Sequence, residues 1–390
     1  MLVLLLIIVA LVGYGAWEYQ GHQKRLRNIP LRIHVNGSRG KSSVTRLIAA
    51  GLRADNIRTI GKTTGTLPRI INPDGVDISI KRNQPANIIE QVKIIRYIEK
   101  FKPEVLVIEC MAVLPEYQWL CEHSIVQSQI GVITNTRLDH INEMGRHREQ
   151  VARSLSNTIP FNADVFTSEK KNLWVLEEVG KKRGSSVTRM PSSNVSRDEL
   201  ANFSYIEHPA NISLALAVCD KAGVDRAVAL KGMYNVKPDA GALRVARCDE
   251  DDKSLLFVNA MAANDPESSL NIANDIRERF APLGTEILLL NSRADRQDRS
   301  MQLIEMIAKH LKFDYLVLTG QSLNRFVGFA AKHKIPKDKV IGLGTMRPEK
   351  IYDEIFNLVQ ERGTVIGLGN VGAGGLDIAR YFNKNRRRES

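Results

Sequence analysis

The stretch Arg-Ile-His-Val-Asn-Gly-Ser-Arg-Gly-Lys-Ser-Ser-Val-Thr, Arg32 to Thr45, constrains the fold more than any other part of the 390-residue chain. Apolar side chains alternate at Ile33 and Val35, as in a half-buried strand. Gly37 and Gly40 allow a tight turn, and Lys41 and Ser42 open an amphipathic helix through Val44, Leu47, Ile48 and Leu52. A strand that runs through a glycine loop into a helix N-terminus aims backbone N–H groups and the positive dipole end at one spot. That spot suits phosphate. Gly37, Ser38, Arg39, Gly40, Lys41, Ser42 and Ser43 are the expected nucleotide cradle, with Lys41 at the outer phosphates and the Ser42 hydroxyl facing Mg²⁺. The usual loop has another glycine five residues before Gly40, where this chain has Val35. The shorter Gly-x-x-Gly-Lys-Ser pattern leaves an ordinary glycine turn beside a surface lysine as the alternative; the flanking strand and helix favour the nucleotide.

Strand-like apolar runs recur at 58–61, 104–110, 130–134 and 164–168, then at 255–259, 286–291, 315–319, 340–343 and 364–368, with helical patterns between them. That alternation predicts an α/β protein of parallel sheets covered by helices. The polar passage 180–202 reads as a surface loop or small excursion. Residues 235–241, with Pro238 and Gly241, have the turn chemistry of an interdomain hinge. The expected organisation is an ATP-binding P-loop domain over 28–236 and a smaller α/β domain over 237–390.

Residues 1–17 carry no charged side chain. Seventeen helical residues span about 26 Å, against a hydrocarbon core of roughly 30 Å. Tyr14, Trp17 and Tyr19 suit the headgroup level, and Lys24, Arg25 and Arg27 follow. A cleaved leader wants positive charge before the apolar run and a small-residue cleavage site, and neither is evident. Positive charge after the run keeps the body inside the cell. Residues 1–22 therefore read as a single-pass membrane anchor with cytoplasmic catalytic domains. The net charge of +12 suits an anionic neighbour such as membrane lipid or an acidic polymer. No basic motif with interleaved aromatics appears, so nucleic acid is not expected as a partner. Cys110, Cys121, Cys219 and Cys248 form neither a Cys-x-x-Cys pair nor a zinc spacing, which fits reduced, packed thiols.

Further residues carry candidate chemistry. Val105 to Glu109 is an apolar strand that ends in a carboxylate, and an acid there helps hold Mg²⁺ beside the phosphates of P-loop enzymes. Asn135, Asp139 and His140 follow another strand, at the carboxyl edge where α/β sheets bind ligands; for His140 alone, a loop histidine capped by Asp139 is the plainer alternative. Lys62, Thr63 and Thr64 follow a short strand and suit an oxyanion-binding loop, or a plain polar turn. Arg293, Asp295 and Arg296 lie in an Arg/Asp-rich loop after a strand, which is either a solvated turn or a grip for carboxylate or phosphate. Gly367-Leu-Gly-Asn-Val-Gly372 matches the dinucleotide fingerprint, but eighteen residues after Gly372 are too few for a βαβ unit, so NAD is discounted.

Together these motifs resemble the Mur ligase superfamily of ATP-dependent amide-bond formers. The short loop, the strand end at Glu109 and the Thr134-Asn135 with Asp139-His140 stretch carry the likeness. So do His208-Pro-Ala-Asn211 through Ala217, which implies Asn211 near the adenine, the turn Asn264-Asp265-Pro266 near substrate, and Arg293–Arg299. The chain is similar in longer blocks to the ligase subunits of poly-γ-glutamate synthases: Val35–Arg46, Ile60–Thr66, Glu109–Val113 and Asn291–Arg296, behind an apolar anchor. Two departures stand out. The residues before the first strand leave no room for the domain that holds a uridine nucleotide in muramyl-peptide ligases. Between Lys102 and Lys170 there is no lysine to be carbamylated, which puts in doubt a second metal at His140.

The resemblance implies ATP and Mg²⁺ as cofactors and a stepwise reaction. The γ-carboxylate of a glutamate chain end attacks the γ-phosphate of ATP, and the amine of the next glutamate attacks the acyl phosphate. Lys41, Ser42 and Glu109 would serve charge neutralisation and metal placement, His140 would stand near the γ-phosphate, and Arg244 with Arg293 or Arg296 would grip phosphate or carboxylate. Implied partners are glutamate, the poly-γ-glutamate chain, membrane lipid and small membrane subunits of a synthase complex, with an oligomer left open. The alternatives are a membrane-anchored P-loop ATPase that energises export, and a folylpolyglutamate-type γ-glutamyl ligase.

Overall fold

Helix α1, Leu2–Arg27, opens the chain in the computed structural model, which describes residues 2–65, 67–82, 86–238, 243–250, 252–262, 265–280 and 284–385. The anchor helix is longer than the apolar run. Good helix formers from Glu18 to Arg27 continue it, and Pro30 stops it, since a proline disfavours helical backbone before it. The side chains of residues 2–20 are exposed, whereas His22 and Leu26 are buried in the body. The expected anchor boundary at residue 22 is thus crossed by one continuous helix, whose last turns pack in the core.

The chain folds as two compact units, 1–204 with 208–237, and 205–207 with 238–390. The first holds an eight-stranded sheet in the order β4-β3-β2-β5-β1-β6-β7-β8. Its strands are β1 (Leu31–Asn36), β2 (Thr59–Thr63), β3 (Arg69–Ile71), β4 (Asp77–Ser79), β5 (Val105–Glu109), β6 (Ile130–Ile133), β7 (Asp164–Thr167) and β8 (Ser186–Arg189). All neighbours are parallel except β3 and β4, an antiparallel hairpin at one edge. The helices are α2 (Lys41–Ala54), α3 (Ile89–Ile98), α4 (Pro115–Leu120), α5 (Ile141–Met144), α6 (Arg148–Leu155), α7 (Leu173–Lys182), α8 (Arg197–Ala201), α9 (Pro209–Lys221) and α10 (Arg226–Tyr234). Strand β1 is central because both neighbours are apolar along their length: Ile33, Val35, Leu106, Val107, Ile108, Val132 and Ile133 are all buried.

The second unit carries a six-stranded sheet, β13-β12-β11-β14-β10-β9. Strands β9 (Arg244–Glu250) and β10 (Lys253–Asn259) form an antiparallel pair, while β11 (Thr285–Ser292), β12 (Tyr315–Gly320), β13 (Val340–Gly344) and β14 (Arg362–Gly369) are parallel. Helices α11 (Pro266–Phe280), α12 (Gln297–His310), α13 (Leu323–Lys332), α14 (Pro348–Leu358) and α15 (Gly375–Lys384) cover it. Two apolar cores flank the sheet, one with Phe257 stacked on Phe382 at 4.1 Å and one with Ile304, Ile307 and Phe326.

The alternation of strands and helices is that expected from the sequence, with three corrections. The passage 180–202 contains strand β8 and helix α8, which is opened by a capping box between Ser196 and Glu199. The hairpin β3–β4 turns through Asn72-Pro73-Asp74-Gly75, with Gly75 at φ +79°, a turn signature that the sequence displays plainly. Strand β9 was also unanticipated; its burial alternates only weakly. Of the expected hinge, residues 239–241 lie outside the described residues.

Candidate functional site

The carboxyl ends of β5, β1 and β6 lie side by side, with Val35 paired to Glu109 and Asn36 to Ile133. This is where strand order reverses in the sheet and where open α/β sheets bind ligands. From β1 the chain passes through Gly37 at φ +131° and Gly40 at φ +85°, both in the left-handed region that glycine tolerates. Close packing adds a second demand on these glycines. A Cβ on Gly37 would clash with Thr134 Oγ1, and one on Gly40 would meet Asn211 Oδ1 at 2.5 Å. Asn211, on the first turn of α9, is thereby held against the loop.

Helix α2 starts at Lys41 with no side-chain cap, so its first N–H groups remain directed at the loop mouth. The Lys41 ammonium donates to the Gly37 carbonyl at 2.6 Å. The Ser42 hydroxyl donates to Glu109 Oε2 at 2.8 Å, and the Thr64 amide donates to the same oxygen at 2.7 Å. Gln91, fully buried on α3, steadies the strand end by donating to the Glu109 carbonyl at 3.1 Å. A hydroxyl and a carboxylate brought together at a phosphate loop form a hard-oxygen pair, the donor chemistry that Mg²⁺ takes when its other positions are water and phosphate. The residues therefore fit one divalent ion. Among the described residues, no group of three or more His, Cys, Asp or Glu side chains gathers at metal-ligand spacing.

The segment after β6 wraps the loop. Asn135 donates to the Arg39 carbonyl at 3.0 Å and its own carbonyl accepts from the Ser38 amide at 3.0 Å, while the Ser38 hydroxyl donates to the Arg137 carbonyl at 2.6 Å. Arg39 pairs with Asp139 at 3.6 Å. His140 follows with φ +45°, half-buried, 4.0 Å from Asp139 and 3.9 Å from Glu143. Ser43 completes the first turn of α2.

Lys62 and Thr63 require a correction. Both belong to β2 and are fully buried, so they do not form an open oxyanion loop. The Lys62 ammonium meets Glu90 Oε1 at 3.3 Å, and Arg82 forks onto both oxygens of that carboxylate at 2.6 and 2.9 Å. Burial pushes the Lys62 pKa down, opposed by Glu90 and Glu109. Burial works to raise the Glu90 pKa, yet Arg82 and Lys62 hold it below its ordinary value. Glu90 and Arg82 were missed from sequence because nothing local marks them; the strand partners that bring them to Lys62 are distant in the chain.

The remaining candidates belong to the second unit. Arg244 begins β9, half-buried. Asp265 is buried and accepts from the Ser268 amide at 2.9 Å at the start of α11, whereas Asn264 lies outside the described residues. Arg293 forks onto Asp295 at 2.9 and 2.7 Å, and Arg296 approaches the same carboxylate at 3.9 Å. Of the fingerprint-like glycines, Gly367 and Gly369 belong to the end of β14 and Gly372 to the turn into α15, where it lies against Arg293, whose Nη1 is 3.2 Å from the position of a Cβ there. That stretch is a packing turn.

The chain matches the Mur ligase middle domain over residues 35–243 and the poly-gamma-glutamate synthase CapB C-terminal domain over 245–385. It is 35% identical over 365 residues to the capsule biosynthesis protein CapB of Bacillus anthracis, spanning 93% of this chain and 78% of the relative. It is 34% identical to the PGA synthase CapB of Bacillus subtilis (strain 168), spanning 95% of each. Among solved structures, its fold is similar to that of Mycobacterium tuberculosis folylpolyglutamate synthase complexed with ADP and AMPPCP, with TM-score 0.68, 17% identity and 93% of both chains covered. The Yersinia pestis bifunctional folylpolyglutamate synthase/dihydrofolate synthase, complexed with AMPPNP and Mn ion, gives TM-score 0.67 at 15% identity, covering 93% of this chain and 92% of that one. Fold and phosphate loop together define a Mur-ligase-type enzyme, an ATP-dependent amide ligase. Within that class, the chain belongs to the CapB family of poly-γ-glutamate synthases.

Proposed function

We propose that Gly37–Ser43 hold the phosphates of ATP and that Ser42 and Glu109 supply the protein oxygens for Mg²⁺. The chain is an ATP-dependent ligase of poly-γ-glutamate synthesis, and the observation that ties residues to that chemistry is the Ser42–Glu109 contact at the N-terminus of α2. In the first step a glutamate γ-carboxylate oxygen bonds to the γ-phosphorus, the bond to the β-phosphate oxygen breaks, and ADP leaves. In the second step the amine of the next glutamate attacks the acyl carbon, phosphate leaves with its electron pair, and the amine loses a proton. Two anions approach each other in the first step, so positive charge is the main requirement. Lys41 exchanges the Gly37 carbonyl for phosphate oxygens, and the uncapped N–H groups of α2 add their partial charge. Mg²⁺, when bound, neutralises phosphate charge in the same place. Arg244, Arg293 and Arg296 of the second unit serve phosphate or glutamate carboxylates, with Asp295 orienting Arg293.

Helix α1 is long and apolar enough to cross a membrane. We place it across the cell membrane once, with both units cytoplasmic, beside small membrane subunits that complete the synthase. The test is ATP turnover with and without glutamate, in the presence of hydroxylamine. ADP and phosphate should form only with glutamate or its polymer, and a hydroxamate should accumulate. AMP and pyrophosphate as products would exclude the acyl-phosphate route, and glutamate-independent turnover would favour an export ATPase.

A further inference from the structure

Arg46 and Arg53 stand two turns apart on one flank of α2 and line a cleft of about 530 Å³. Its other walls are the turn between β3 and β4, the end of α10 and Asn235–Lys237, and none of the phosphate-loop residues contributes. Arg46 is only 3% exposed. Its guanidinium forks onto Asp77 at 2.9 and 3.2 Å and reaches the Lys237 carbonyl at 3.3 Å, yet its Nε has no hydrogen-bond partner. Arg53 Nη1 is likewise enclosed and unpartnered. A buried N–H without an acceptor costs free energy, so two such donors on one cleft mark a place for acceptor oxygens that the protein does not provide.

Charge points the same way. Lys231 and Lys237 join the two arginines on the walls, against Asp74 alone, while Asp77 behind the wall is taken up by Arg46. Burial and the like charge of Arg46 push Arg53 down to about 10, Asp77 only partly offsetting them, as expected where positive charge is undercompensated. A cleft of this size accepts a ligand of several heavy-atom groups. Arginine forks are shaped for planar or tetrahedral oxyanions.

The geometry points to an oxyanion-binding site, distinct from the phosphate loop, in which Arg53, Lys231 and the Arg46 Nε hold a carboxylate- or phosphate-bearing anion. Resting on the ligase reading above, the carboxylate source is the row of α-carboxylates along a γ-glutamyl chain; free phosphate is the other source of the same chemistry. The site lies on the helix that begins at Lys41, and Arg46 also grips the carbonyl of Lys237, the last residue of the first unit.

The test uses the full-length protein in detergent, titrated by calorimetry with tri-γ-glutamate, with inorganic phosphate and with an ATP analogue. In Arg53→Gln/Lys231→Gln, the dissociation constant for tri-γ-glutamate or for phosphate should rise at least tenfold, with the ATP-analogue affinity and the melting curve unchanged. Loss confined to the oligomer assigns the chain carboxylates, and loss confined to phosphate assigns free phosphate. Lys231→Gln alone, at an exposed position, should show part of the effect if the double variant folds poorly. Anion binding that is absent, or equal in wild type and both variants, overturns the site. Glutamate-dependent ATP turnover of the wild type is measured alongside. Variant-sensitive phosphate binding without such turnover keeps the site and fails the ligase reading; turnover with variant-insensitive binding does the reverse.

Discussion

At the scale of single residues, the proposed nucleotide and metal roles rest on the charges of Lys41 and Glu109. Lys41 adds a cation to the loop and little packing, so Lys41→Ala should lower turnover by ~10³-fold or more while leaving the melting curve unchanged. Glu109→Gln keeps the shape and the Ser42 contact but removes the charge, so its Mg²⁺ requirement should move to much higher concentration; an unchanged Mg²⁺ titration would remove Glu109 from the metal site. Glu90 makes a different kind of contribution. Lys62 and Arg82 hold its folded-state pKa below the ordinary 4.5. Its stabilisation is therefore complete above that value and is lost as pH falls through the lowered one. Glu90→Gln should cost about 2 kcal/mol at pH 7 in urea unfolding, and the gap to wild type should narrow as pH drops from about 5 to 3. Lys62 was expected to be available to substrate because its neighbours are threonines and a glycine; the alternation of β2 turns its side chain inward instead.

Among the elements, α1 joins an exposed apolar run to the core of the first unit. Its buried end packs with Ile29, Ile95, Ile98 and Val126, and His22 bonds the Ile125 carbonyl at 2.8 Å. Arg32, just beyond the helix, donates to the Leu26 and Ile29 carbonyls at 2.8 and 2.7 Å. Leu26→Ala should therefore destabilise the first unit by about 3 kcal/mol, read as a lower melting temperature, whereas Leu5→Ala, exposed in this structure, should leave it unchanged. The break between the apolar run and the helix end was not visible in sequence, since the last turns are amphipathic only with respect to a core made by α3 and residues 125–126. The turn of β3–β4 was legible in Asn72-Pro73-Asp74-Gly75, but its strands are three residues each and carry too little pattern to stand out.

For the whole molecule, the placement of α1 and the phosphate loop gives a testable orientation. The helix enters the first unit at the start of β1, and the loop lies at the end of the same strand. A strand of six residues spans about 20 Å, so the nucleotide site stands at the sheet edge away from the helix exit. The native protein should need detergent for extraction, and protease added to intact cells should leave both units undigested. Digestion of the body would reverse the orientation, and extraction by salt alone would remove the anchor.

The strand–loop–helix from Arg32 to Leu52, the carboxylate closing β5 and the alternation of strands with helices were written in the sequence, because each depends on local periodicity, glycine backbone freedom and one ionisable side chain at a strand end. Sequence likeness extended that to the family. Tertiary structure alone decided which side chains meet. It set Asn211 against Gly40, closed Thr134 over Gly37, buried Lys62 against the Glu90 carboxylate that Arg82 also holds, and enclosed Arg46 and Arg53 beside a hairpin and a helix distant in the chain. Such contacts arise from pairing and packing between segments far apart, and neither the period of a strand nor the spacing of a motif contains them.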